Sequence, residues 1–220
     1  MRIIVADDHP VILMGIKALF ASFGNTYEFV GEAHNGRDLL ALLAAQPCDL
    51  LITDFSMPDE QGSSDGLPLL KRLRRDYPEL PIIILTMVHN PSLISGMLAA
   101  GARGVVDKAS MTRELLQAIQ TVLSGRTHLS EQMRAEIADL RASHGDADTH
   151  VALADGGGLS KREAEVVRLY ASGHSVTQIA EQLHRSVKTV SQQKNDAMRK
   201  LGLKSNSQLY EYARNYGLVS

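Results

Sequence analysis

Asp7, Asp8, Asp54, Thr86 and Lys108 each stand at the end of a short apolar run. Ile3–Ala6 ends at Asp7-Asp8, Leu50–Thr53 at Asp54, Ile82–Leu85 at Thr86, and Gly104–Val106 at Asp107-Lys108. A carboxylate closing a buried strand is costly unless something there uses it. In open α/β sheets, ligands sit outside the carboxyl ends of the strands. Parallel strands would therefore gather all five side chains at one rim. Three carboxylates together need a counter-charge. A hard divalent cation with oxygen ligands meets that need, and Mg2+ suits a site that also takes phosphoryl oxygens. An aspartate can accept a phosphoryl group as an acyl phosphate. A lysine and a metal would stabilise the transferring oxygens, and a threonine hydroxyl would meet the product.

The elements that must hold this rim are legible as alternating strand and helix patterns over residues 1–125. Strands are predicted at Ile3–Ala6, Phe29–Ala33, Leu50–Thr53, Ile82–Leu85 and Gly104–Val106. Helices are predicted near 10–23, 36–45, 66–76, 91–100 and 112–124. Five βα units imply a doubly wound parallel sheet covered on both faces, in the order 2-1-3-4-5. The loop after Met57-Pro58, residues 59–65, is long and acidic. It reads as a surface insertion, with a flap over Asp54 as the alternative.

Residues 126–158 read as a linker. Ser130–Ala142 can form a helix with Met133, Ile137 and Leu140 on one face. His144–Gly158 has too little apolar content to bury a core. The last 62 residues, 159–220, are helical and sharply punctuated. Ser160-Lys161-Arg162-Glu163 and Ser175-Val176-Thr177-Gln178 are capping boxes. His184-Arg185 forms a tight turn, Ser186 caps a longer helix, and Gly202 stops it. A fourth helix is expected over about Asn206–Tyr216.

On a helical wheel, Val187, Val190, Ala197, Met198 and Leu201 fall on one side of the third helix. Lys188, Ser191, Gln192, Asn195 and Arg199 fall opposite, with Asp196 off the stripe. A stripe of donors and dual donor–acceptors suits a major groove. Ser191, Gln192 and Asn195 are expected at base edges, and Lys188, Lys194 and Lys200 at phosphates; Thr189 and Arg199 complete the candidate set.

Charge follows the same division. Residues 1–125 hold 10 Lys/Arg against 14 Asp/Glu, residues 126–158 hold 3 against 6, and residues 159–220 hold 10 against 5. A basic module on an acidic chain points to a polyanionic partner. Cys48 is the only cysteine, which excludes an internal disulfide and fits a reducing cytoplasm. No apolar run has the length of a membrane span, so a cytoplasmic location is expected.

The ordered set Asp7-Asp8, Asp54-x-x-Met57-Pro58, Thr86 and Lys108 resembles a response-regulator receiver domain. The resemblance implies a flavodoxin-like fold with Asp54 as phosphoacceptor. It implies Mg2+ at Asp8 and Asp54 with help from Asp7 and the Ser56 carbonyl, Thr86 as switch hydroxyl, and Lys108 as phosphoryl-binding amine. Leu159–Val166, Ile179–Leu183, Ser186–Val190 and Lys200–Leu203 resemble the four-helix LuxR-type (NarL/FixJ) DNA-binding domain. Thr189-Val190-Ser191-Gln192-Gln193-Lys194 and the lengthened Met-Pro loop resemble the Rcs-type capsule regulators within that family.

Together these imply a transcription regulator that binds double-stranded promoter DNA. It would receive phosphate from a sensor histidine kinase or phosphotransfer protein. It would work as a homodimer, or as a heterodimer with an auxiliary regulator. Two departures stand out. Val105 occupies the position of the usual switch aromatic, and Met87 replaces a small residue after Thr86. They leave room for a regulator that works through a partner without phosphate. Haloacid-dehalogenase phosphatases use similar residues on a similar sheet, but there the nucleophile comes first and the acid pair late, the reverse of the order here.

Overall fold

The structure is a computed structural model and describes residues 1–57, 66–144, 159–201, 203 and 205–215. Pro58, the acidic 59–65 loop, the Gly-rich stretch before Leu159 and the Gly202 stop lie outside the described residues. The chain forms two compact units, one built on a sheet and one on the C-terminal helices.

In the first unit the strands are β1 (Arg2–Ala6), β2 (Glu28–Ala33), β3 (Leu50–Asp54), β4 (Ile82–Thr86), β5 (Gly104–Asp107) and β6 (His128–Leu129). All pair in parallel, in the order β2-β1-β3-β4-β5-β6. The five expected strands take the expected order, and β6 adds a sixth at the edge. β3, β4 and β5 are buried along their whole length. That explains their near-continuous apolar sequences, since a parallel strand is covered on both faces.

The helices that follow these strands in sequence are α1 (Pro10–Ala21), α2 (Gly36–Ala45), α3 (Gly66–Asp76), α4 (Pro91–Ala99) and α5 (Met111–Leu123). Each begins within about one residue of its expected start, in line with the usual looseness of helix ends. On one face of the sheet, Leu13, Ile16 and Phe20 of α1 meet Leu115, Ala118, Ile119 and Val122 of α5 over Ile3, Val5, Leu50, Ile52 and Ile83. At Gly31 the lack of a side chain matters. A Cβ there would sit 2.8 Å from Leu42 Cδ2, so any larger residue would oblige the Leu42 side chain of α2 to shift.

β6 falls in the stretch read from sequence as linker. His128 N–H donates to the Arg103 carbonyl at 3.0 Å and Ser130 N–H to the Val105 carbonyl at 3.1 Å. The fully buried Ser130 hydroxyl accepts from Asp107 N–H at 3.0 Å. The expected linker helix follows as α6 (Glu131–His144), with Met133 and Ile137 buried.

The second unit carries α7 (Lys161–Ala171), α8 (Val176–Gln182), α9 (Val187–Lys200) and α10 (Asn206–Asn215). Both capping boxes form, Ser160 with Glu163 and Ser175 with Gln178, and Ser186 caps α9 through Thr189 N–H. Gly173 ends α7 at φ +93, and His184 makes the α8–α9 turn at φ 51. Val166, Leu169, Ile179, Ala180 and Val190 form the core. The apolar side of α9 begins at Val190. Val187, read from sequence as part of it, is 48 % exposed.

Candidate phosphorylation site and nucleic-acid interface

Strand register builds the rim. Ala6 pairs with Thr53, Asp54 with Leu85, and Thr86 with Asp107. Asp7 and Asp54 are therefore level on neighbouring strands, and Lys108 N–H closes on the Thr86 carbonyl at 3.0 Å. The result is a compact charge cluster. Lys108 Nζ lies 2.8 Å from Asp7 Oδ2 and 2.8 Å from Asp54 Oδ2. Asp7, Asp8, His9 and Asp54 each bring one ligand atom within 4.8 Å of the others.

Burial pushes the Asp54 carboxyl up to about 6, against the downward pull of Lys108. Burial also pulls on the Lys108 ammonium, but its two carboxylate partners more than offset this and its pKa is raised. One lysine thus pairs with two of the three acids gathered at the rim. Carboxylate oxygens around a residual negative charge are the donor set that a hard cation such as Mg2+ takes. The residues present fit that ion.

His9 is a member of this cluster that the sequence reading did not single out. Its backbone N–H donates to Asp7 Oδ1 at 2.9 Å, and its Nδ1 lies 2.7 Å from Asp8 Oδ1. The signal available was its position at the start of α1, directly after the acid pair. Ser56 sits just beyond Asp54, and its backbone N–H bonds the Asp54 carboxylate. Thr86 is buried and its hydroxyl accepts from Val88 N–H at 2.9 Å. Met87 is 63 % exposed, while Val105 is fully buried in β5.

On α9 the candidate residues separate into two groups. Lys188, Ser191 and Asn195 have no side-chain partner among the described residues, and Lys188 and Asn195 are exposed. Lys194 and Lys200, read from sequence as phosphate contacts, are engaged within the unit. Lys194 donates to Asn206 Oδ1 at 3.0 Å and lies 4.6 Å over the Tyr170 ring, which itself stacks on Tyr210. Lys200 donates to Glu163 Oε2 at 2.9 Å, tying the end of α9 to the capping box of α7. Both ammonium groups are engaged by residues of the helices behind α9.

Thr189 spends its hydroxyl on the Ser186 cap at 2.8 Å. Asp196, read as off the polar stripe, joins it. Its carboxylate accepts from Gln192 Nε2 at 3.1 and 3.2 Å and from Arg199 Nη2 at 2.6 Å.

A buried acid–lysine cluster at the rim of a doubly wound sheet, with a separate helix-turn-helix unit, defines a class. Residues 3–120 match the response regulator receiver domain family, and residues 158–213 match the bacterial regulatory proteins of the luxR family. The chain belongs to the response regulators that join a receiver domain to a luxR-type DNA-binding domain, and it is a phosphorylation-controlled DNA-binding transcription regulator of a two-component system.

Among individual relatives, it is 36 % identical over 213 residues to the transcriptional regulatory protein RcsB of Escherichia coli K12, covering 96 % of this chain and 93 % of that one. It is 35 % identical over 213 residues to the oxygen regulatory protein NreC of Staphylococcus aureus, covering 97 % and 96 %. Its structure resembles that of RcsB from Salmonella enterica serovar Typhimurium bound to promoter P1flhDC with phosphomimetic BeF3-. There the TM-score is 0.82 and the identity 36 %, over 98 % of each chain. A structure of two RcsB dimers bound to two parallel DNAs matches with TM-score 0.79 and 34 % identity, again over 98 % of each chain.

Proposed function

We propose that Asp54 is the phosphoacceptor and that α9 is the helix that reads promoter DNA. Phosphoryl transfer would proceed by attack of an Asp54 carboxylate oxygen on phosphorus, as the bond from phosphorus to the donor's leaving atom breaks. The donor is a histidine kinase or a phosphotransfer protein. Asp8 and Asp54, with Asp7 and the Ser56 carbonyl, would hold Mg2+, which supplies charge neutralisation to the transferring oxygens. Lys108 already bridges Asp7 and Asp54 and would turn its ammonium to the new phosphoryl oxygens. Thr86 would exchange its Val88 N–H bond for a contact with the phosphoryl group. With Val105 locked in the strand, transmission runs through that exchange and not through a turning aromatic ring.

The observation that carries this reading is the meeting of Lys108 with both acids at 2.8 Å, because buried charges held side by side cost stability and cluster at functional sites. The chain is also proposed to act as a homodimer on DNA, as an RcsB structure with DNA is described. The apolar side chains Val11 and Met14 on α1 and Leu123 on α5, all exposed, supply a surface for a second copy. No described helix is long and apolar enough to cross a membrane, and a cytoplasmic location is proposed.

The test is incubation with Mg2+ and acetyl phosphate followed by mass spectrometry. Wild-type protein should gain one phosphoryl group on Asp54 and Asp54→Asn none. A phosphate mapped to another residue would overturn the assignment.

A further inference from the structure

The Asp196 carboxylate stands where an acid should harm DNA binding. It lies on the helix face directed to a polyanion, between Gln192 and Arg199, which it binds at 3.1 and 2.6 Å. A helix-stabilising pair is one account of such a contact, since residues four apart on a helix meet and bond. The chemistry of the pair gives it a further consequence. A primary amide can face a partner with either its oxygen or its nitrogen. A carboxylate only accepts, so Asp196 obliges Gln192 to turn its nitrogen toward it. Gln192 is then held in one of its two amide orientations.

With one N–H given to Asp196, Gln192 presents Oε1 and its second N–H outward. One acceptor beside one donor is the complement of the adenine N6–H and N7 pair in the major groove. Guanine offers two acceptors there, O6 and N7. An unrestrained glutamine could turn both N–H groups to guanine; one held by Asp196 cannot. Arg199 meanwhile neutralises the acid, which limits its repulsion of phosphates.

We propose that Asp196 is a specificity-positioning residue: it orients the Gln192 amide so that α9 selects adenine over guanine at one base step. The proposal rests on α9 being the recognition helix and deepens that reading.

The experiment is selection from a randomised duplex library with the full-length protein, in wild-type, Gln192→Ala, Asp196→Ala and Asp196→Asn forms. Competition on adenine and guanine versions of the selected site follows, with circular dichroism to confirm folding. Wild-type should prefer adenine by about tenfold at one step, the size of a good bidentate contact. Gln192→Ala and Asp196→Ala should each bring that ratio to within about twofold. Asp196→Asn can meet Gln192 with its nitrogen as well as its oxygen, so the orientation is released and the ratio should fall toward the Asp196→Ala value, while its affinity for scrambled duplex rises because a negative charge is gone. A ratio lost in Gln192→Ala but kept in Asp196→Ala overturns the proposal alone. A ratio kept in Asp196→Asn, which no longer obliges the Gln192 nitrogen to face it, overturns it as well. A ratio unmoved in Gln192→Ala removes the base-reading role and the proposal with it.

Discussion

Replacing Lys108 with alanine should reveal how the acidic rim is kept neutral. Lys108 is 8 % exposed and lies 2.8 Å from both Asp7 and Asp54, themselves almost wholly buried. Its removal strands two carboxylates in a site where burial already pushes Asp54 up to about 6. Breaking a buried ion pair by removing one partner costs about 3–5 kcal/mol. Taking about 3 kcal/mol for a unit of this size, the melting temperature should fall by roughly 10 °C in the absence of divalent cation. Mg2+ at the same carboxylates should then restore part of the loss. The variant should therefore gain more from Mg2+ than wild-type protein, in which Lys108 supplies part of the counter-charge. Thermal and urea unfolding with EDTA and with excess Mg2+ would measure both effects. An unchanged melting temperature, or equal Mg2+ stabilisation in the two proteins, would refute this account of the cluster.

On the DNA side, Lys188→Ala should weaken matched and scrambled duplexes alike and lower the salt slope by about one; binding isotherms over a salt series would read this. Lys200→Ala should leave that slope unchanged. Met14→Glu should impair dimer formation on phosphorylation, as sedimentation would show, since it places a charge on an α1 face that is 68 % exposed at that residue; dimers of unchanged strength would move the contact to another face. Burial raises Glu163, but Lys200 and the Ser160 cap more than offset it, leaving its pKa lowered in the folded chain. That stabilisation is present above the unfolded carboxyl value and is lost as pH falls through the lower folded value. Acid unfolding of the C-terminal unit should therefore begin below about pH 4.5. Glu163→Gln should remove this dependence, and a melt series by circular dichroism across pH would show it.

The strands, the rim residues and the helix caps were legible because their signals are local. An apolar run of four residues followed by an acid, or a serine three residues before a glutamate, carries its own geometry. What escaped the sequence depends on reach or on brevity. Lys194 meets Asn206 twelve positions away and Lys200 meets Glu163 thirty-seven away, pairings no helical wheel displays. Asp196 lies only about 40° around the helix from Gln192, yet a wheel of backbone directions does not show side chains bending toward one another. β6 spans two residues, His128 and Leu129, too few for alternation to register. His9 was passed over because a histidine opening a helix is unremarkable until the acids beside it are seen in space.

β6 bears on how this protein can be taken apart. A chain cut at residue 125, where the fifth βα unit closes in sequence, would lose the strand that pairs with Gly104 and Val105. The Arg103 and Val105 carbonyls and the Asp107 N–H would lose their partners. An apolar strand would become a bare sheet edge, open to pairing with another chain. The residue freed, Asp107, adjoins Lys108, so damage at the cut would reach the ammonium that bridges Asp7 and Asp54. A receiver prepared alone therefore has its natural end beyond Ser130. A regulator that exchanges its DNA-binding half for another would have to carry this strand with it.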